Sequence, residues 1–149
     1  MNGKLRYLGL VVIVLGIIGL AVGIVFVQQG FAQESWLEQT MNQEQITMPD
    51  GSGTVINNEA TARAAGDLVR QHRHSIAPTY GDLLGGQNFD PTNPTQLTYA
   101  QALNLENYLY LAVTAFGVFT VVKVTGAFMI VMGLALGATG YALWRISRA

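Results

Sequence analysis

The chain has no cysteine among its 149 residues. That excludes disulfide staples, thiolate zinc sites, iron–sulfur ligation and c-type haem attachment together. Histidine is almost as scarce, with only His72 and His74. Charge is sparse too. Eight Lys and Arg against nine Asp and Glu leave a net charge of −1, so no basic footprint for a nucleic acid exists. The few charges also avoid two stretches. Tyr7 to Val27 has none, and Tyr108 to Trp144 has only Lys123.

Each stretch is long enough for a bilayer crossing, which takes about 20 apolar residues in a helix. Lys4 and Arg6 precede the first, and Arg145 and Arg148 follow the second. Positive flanks stay cytoplasmic, so both termini are expected inside a multi-pass plasma-membrane protein. Gly30-Phe31-Ala32 carries small residues at the positions a signal peptidase reads. The apolar run before it exceeds the ~7–15 residues of a signal-peptide core, and an uncleaved anchor is expected instead. The predicted fold class is a mainly α membrane protein. Two transmembrane helices form an antiparallel hairpin, with a small α-rich extracytoplasmic segment containing at most a short β-hairpin. The expected divisions are a cytoplasmic end at 1–6, a span at 7–27, an extracytoplasmic segment at 28–107, an apolar helix extension at 108–122, a second span at 123–144 and a cytoplasmic end at 145–149.

The second block is too long for one crossing. As a helix, Tyr108 to Trp144 would measure about 55 Å at 1.5 Å per residue, against a hydrocarbon core of about 30 Å. Tilt alone does not hide the excess. Trp144 and Arg145 mark the inner interface, and about 20 residues back from them lies Lys123, at the outer interface. There its ammonium can snorkel to the headgroups. Tyr108–Val122 then stands above the lipid and needs protein cover, which makes Phe116, Phe119 and Lys123 candidates to face a partner. The alternative is a tilted span, kinked at Gly117 or Gly126, with Lys123 buried against a partner.

Glycines recur every seven residues in both blocks: Gly9, Gly16 and Gly23, continued by Gly30, and Gly126, Gly133 and Gly140. A seven-residue period keeps them on one slowly drifting face. Small residues let helix backbones approach in lipid, where no hydrophobic force pulls helices together. The two stripes are expected to meet, with homodimerisation or docking to a larger complex as the competing use.

Between the blocks, Gln28–Gln43 continues the first helix. Glu44–Met48 and Thr54–Ile56 pair across a Pro49-Asp-Gly-Ser-Gly53 turn. Asn57 or Asn58 caps a helix from Glu59 to about Ser75, with Ala60, Ala64, Leu68, His72 and Ile76 facing inward. Thr79–Gly86 is a loop or short helical turn. A last helix starts near Thr95 and runs unbroken to the C-terminus.

No chemistry-bearing set emerges. A non-haem iron site needs two histidines and a carboxylate on one face, but His72 and His74, two apart on a helix, point nearly opposite ways. The expected placement is His72 in the core and His74 in solvent. Arg70, Arg73 and His74 form at most a weak patch for an anion or lipid headgroup. Gly51-Ser-Gly53 lacks the Gly-Lys-Ser ending of a phosphate loop.

The pattern Thr79-Tyr-Gly-Asp-Leu83, Asp90-Pro91, Leu97-Thr-Tyr-Ala100 and Ala112-Val-Thr-Ala-Phe-Gly-Val118 resembles a group of small two-span bacterial membrane proteins of unknown function, often mislabelled as aromatic ring-opening dioxygenase. The resemblance covers the second half best. It implies architecture alone: an anchor, an extracytoplasmic segment and a return span. Together these features imply no cofactor and no catalytic residues. They point to a non-catalytic accessory or structural subunit of a larger membrane complex, with lipid and other membrane subunits or further copies of the chain as partners. A stand-alone membrane-anchored binding or sensing protein is the alternative.

Overall fold

The computed structural model describes residues 2–148. Met1 and Ala149, the tips of the two ends expected to be cytoplasmic, lie outside the described residues. Among these there are four helices: α1 (Asn2–Glu44), α2 (Glu59–Ile76), α3 (Tyr80–Leu84) and α4 (Pro94–Ile146). α1 and α4 are each long and apolar enough to cross a membrane. No strand occurs among the described residues. The expected pairing is reduced to one antiparallel bridge, Thr47 with Val55, closed by Met48 N–H to Thr54 O and Ile56 N–H to Ile46 O, both 2.8 Å.

Local chemistry sets the helix ends. Asn58 opens α2 with a reciprocal cap: its Oδ1 accepts from Thr61 N–H at 3.0 Å, and Thr61 Oγ1 accepts from Asn58 N–H at 3.2 Å. Pro78 forces Ala77 into extended backbone, which stops α2. Thr79 caps α3, and Gly85 ends it in the left-handed region at φ 55°. α4 starts with Pro94 in its first turn, where a missing N–H costs nothing. Asn93 Oδ1 accepts from the N–H groups of Thr95 and Gln96 there.

The chain divides into two compact units, Met1–Glu34 with Val118–Ala149, and Ser35–Gly117. In the second, polar unit, the core is Ile56, Ala62, Ala65, Val69, Leu109 and Val113, with Met41, Met48, Ala102 and Ala112 packed around it. Alanines on α2 let it lie close to α4, and Gly66 takes the Tyr110 ring, whose atoms would sit 3.3 Å from an added methyl. The buried face of α2 is Ala62, Ala65, Gly66, Val69 and Arg73. This corrects the expected inward stripe: Ala60, Ala64 and His72 are exposed. A spacing of four drifts around a helix, whereas alternating threes and fours stay on one face. His74 is exposed, as expected.

The apolar unit has the reverse of an ordinary core. Among its described residues every buried position is a glycine: Gly9, Gly16, Gly23, Gly30, Gly126, Gly133 and Gly140. Many of its large side chains, among them Leu10, Val14, Ile17, Val25, Val124, Phe128 and Leu134, point outward, while Ile13, Leu20 and Ile130 are half-buried beside the glycines.

Candidate functional site

The glycines form a backbone-to-backbone seam. A methyl placed on Gly9 would lie 2.9 Å from Gly140 O and Trp144 N. On Gly16 it would lie 2.7 Å from Gly133 O and Gly137 N, and on Gly23 2.7 Å from Gly126 O. The contacts are reciprocal from Gly126, Gly133 and Gly140. Rising numbers on α1 meet falling numbers on α4, so the two helices run in opposite directions along the seam. Glycines off the seven-residue period serve it less or not at all. An added methyl on Gly137 meets nothing within 4 Å among the described residues, and one on Gly19 makes only ordinary contact at 3.6 Å.

Gly30 carries the seam one heptad further. Its added methyl would meet Lys123 Cγ and Phe119 O. Here the Lys123 ammonium donates to Glu34 Oε2 at 2.6 Å and stands 4.8 Å from the centre of the Phe31 ring. Both charged side chains are largely buried. The partner expected for a buried Lys123 is thus supplied by the same chain. From Gly9 to Gly30 the seam measures about 31 Å at 1.5 Å per residue.

In the polar unit the structure places a charge cluster of which Arg73 and Glu106 are buried and Arg70 is exposed. Arg73 Nε donates to Glu106 Oε2 at 2.8 Å, and Arg70 Nε donates to Oε1 of the same carboxylate at 2.9 Å. Arg73 is 7% exposed and Glu106 5%. Arg73 Nη1 also donates to the hydroxyl of Tyr99, which is fully buried. Its Nη2 lies 3.2 Å from His74 Nε2. Arginine has donors only, so that ring nitrogen accepts. The Arg70 guanidinium lies 4.7 Å over the Tyr110 ring, whose hydroxyl donates to Asp67 Oδ1 at 2.5 Å. Burial pushes the Glu106 carboxyl up, but the hydrogen bonds from Arg73 and Arg70 and their charges outweigh it and hold it below its ordinary value. The bond to Glu106 correspondingly raises both arginines.

The candidate anion patch is therefore corrected. Arg70 and Arg73 spend their charge on one internal carboxylate, and Arg73 is not at the surface. Phe116 is corrected as well: it is buried within the chain at 3% exposed, so its ring presents no surface to a partner, while Phe119 is half-buried. Sequence reasoning missed Glu106 and Tyr99. The signal was there, because Glu106 is the one acidic residue in all of α4. A lone carboxylate in an apolar helix needs a cation.

Beside the cluster, Tyr80, Ala100, Leu103, Asn104 and Asn107 line an open groove of about 270 Å³. The Tyr80 ring is tilted against Tyr99, with centroids 6.1 Å apart. No group of three or more metal-ligating side chains occurs among the described residues. No family model, curated protein or solved structure matches the chain.

Proposed function

We propose that the apolar unit is a transmembrane hairpin with both termini cytoplasmic, and that the protein is a non-catalytic structural or accessory subunit of a larger assembly in the plasma membrane. The observation that carries this is the inverted exposure of the apolar unit. Fully burying only glycines while leaving most large apolar side chains exposed is ruinous in water and natural in lipid. The seam's length of about 31 Å fits a hydrocarbon core of about 30 Å. Arg6, Trp144 and Arg145 belong at one end, and the Lys123–Glu34 pair at the other. Residues 28–107 then lie outside the cytoplasm.

The structural role is supported by how the polar unit uses its charges. Arg70 and Arg73 both bond Glu106, which ties α2 to α4. Tyr108 and Leu111 are exposed on α4, beyond the length that lipid covers, and call for protein cover. The test is extraction in mild detergent followed by native electrophoresis. Migration with a large assembly supports the reading, and a species of one chain's mass opposes it. A second reading, a stand-alone membrane-anchored binding or sensing protein, draws on the Tyr80–Asn104–Asn107 groove. It requires a small species whose melting temperature rises with an added envelope component.

A further inference from the structure

We infer that the groove beside the charge cluster binds a neutral saccharide, held by the side-chain amides of Asn104 and Asn107 and stacked on the Tyr80 ring. The inference rests on the groove that the second reading above draws on, and it names that reading's ligand class. It does not require the chain to stand alone, because a subunit of an assembly can carry the same site.

The argument starts from two residues that do the fold no service. Asparagine is among the poorer helix formers, because its amide competes for nearby backbone groups. α4 nonetheless carries Asn104 and Asn107 within one turn. Other asparagines of the polar unit are spent on the fold. Asn57 donates to Asn42 Oδ1 at 3.0 Å, Asn58 caps α2 and Asn93 caps α4. Asn104 and Asn107 are exposed, and neither amide has a hydrogen-bond partner among the described residues. Three apart, they are neighbours on one helix face, and both line the groove.

The lining defines the ligand. It is Tyr80, Ala100, Leu103, Asn104 and Asn107, with no charge among them, so an anion finds no cation there and a cation no carboxylate. The charges that flank these residues in the chain are already spent. Glu106 bonds Arg70 and Arg73, and Asp82 accepts from the Thr79 hydroxyl at 2.7 Å. What remains is two carboxamides, each of which donates and accepts. The hydroxyls of a sugar ring also donate and accept, and two on one ring match two amides on one helix face. Tyr80 supplies the other contact. Its ring is 40% exposed, and its negative π face suits the positively polarised C–H groups of a sugar. The ring is held in advance against Tyr99, which is fully buried and bonded to Arg73, so little ordering is left for binding to cost. At about 270 Å³ the groove falls below the about 300–1,000 Å³ of drug-sized pockets, which suits one or two rings. An extended peptide would need a sheet edge, and no strand occurs among the described residues.

Saturation-transfer NMR on the purified full chain in phospholipid nanodiscs tests this, free of any sugar-headed detergent. The probes are cellobiose, N,N′-diacetylchitobiose and a blocked alanine tripeptide. Transfer to the ring protons of at least one disaccharide is expected, with loss in Asn104→Ala, Asn107→Ala and Tyr80→Ala. Gln101→Ala, exposed on α4 outside the groove, should leave it unchanged. Because the two amides bond nothing in the fold, both asparagine variants should keep or raise the melting temperature. No transfer to either disaccharide, transfer that survives both asparagine variants, or transfer to the tripeptide alone overturns the inference. So does a lowered melting temperature in the asparagine variants, which would assign the amides to the fold. Native electrophoresis of a mild-detergent extract separates this from the second reading. A large assembly, with sugar contact in the purified chain, overturns the stand-alone protein and supports the site. A single-chain species without sugar contact overturns the site and leaves the stand-alone protein to another ligand.

Discussion

Gly133→Ala and Gly137→Ala make the same chemical change one helical turn apart, and the structure predicts opposite results. At Gly133 the new methyl would sit 2.7 Å from Gly16 O and from Leu20 N, both backbone atoms, and 3.0 Å from Leu20 Cγ. Carbon needs about 3.5 Å or more from such neighbours, and no side-chain rotation relieves a backbone clash. The helices must separate by most of an ångström. A radial gap of 0.5–1 Å already forfeits a quarter to a half of each contact's attraction, and in lipid no hydrophobic force compensates. Overpacking of this kind costs about 1–3 kcal/mol. At Gly137 the methyl enters open space, so the substitution should be neutral, or stabilising by up to about 1 kcal/mol through helix propensity. Thermal unfolding in mild detergent, followed by circular dichroism, reads the difference. A melting temperature lowered for Gly133→Ala and unchanged or raised for Gly137→Ala is expected. Equal losses at both positions, or none at either, would refute the seam as the contact that holds the helices together.

Other consequences concern the charges. Glu106→Gln removes the anion that faces buried Arg73 and should cost the polar unit about 3 kcal/mol, the lower end for a broken buried ion pair because the core is small; proteolytic susceptibility of residues 35–117 measures it. Because the folded-state carboxyl of Glu106 is held below its ordinary value, its contribution is complete above the unfolded value and is lost as pH falls through the folded one. Acid titration should therefore destabilise the polar unit below about pH 4.3, the ordinary glutamate value, and Glu106→Gln should flatten that part of the profile. Glu34→Gln should lower stability in detergent by about 1–2 kcal/mol, between the exposed and buried ion-pair cases. The exchange Glu34→Lys with Lys123→Glu should recover much of that loss, and failure to recover would show that the pair is not what these residues supply.

The two long helices and the heptad of glycines were legible in the sequence because period and composition report them directly. Asparagine likewise announced the start of α2. The polar unit was harder to read. Its α2 face has few large apolar residues to betray it, and the decisive side chain, Arg73, reads as solvent-exposed from its type alone. Its partner Glu106 lies 33 residues away, beyond any local pattern. Lys123 was visible as a lone charge in an apolar block, but nothing in the spacing showed that Glu34, far off on α1, would neutralise it. Gly133 and Gly137 stand four residues apart in one apolar block, and their residue type does not tell them apart. Only the direction of each missing methyl distinguishes them.

Topology is the most direct test of the central claim. In the cysteine-free chain, Ser52→Cys and Ser147→Cys are each exposed to a membrane-impermeant maleimide in sealed cells, then again after permeabilisation. Two spans with both ends inside predict that Ser52→Cys labels in sealed cells and that Ser147→Cys labels only after permeabilisation. Labelling of Ser147→Cys in sealed cells, or protection of Ser52→Cys there, would contradict the account.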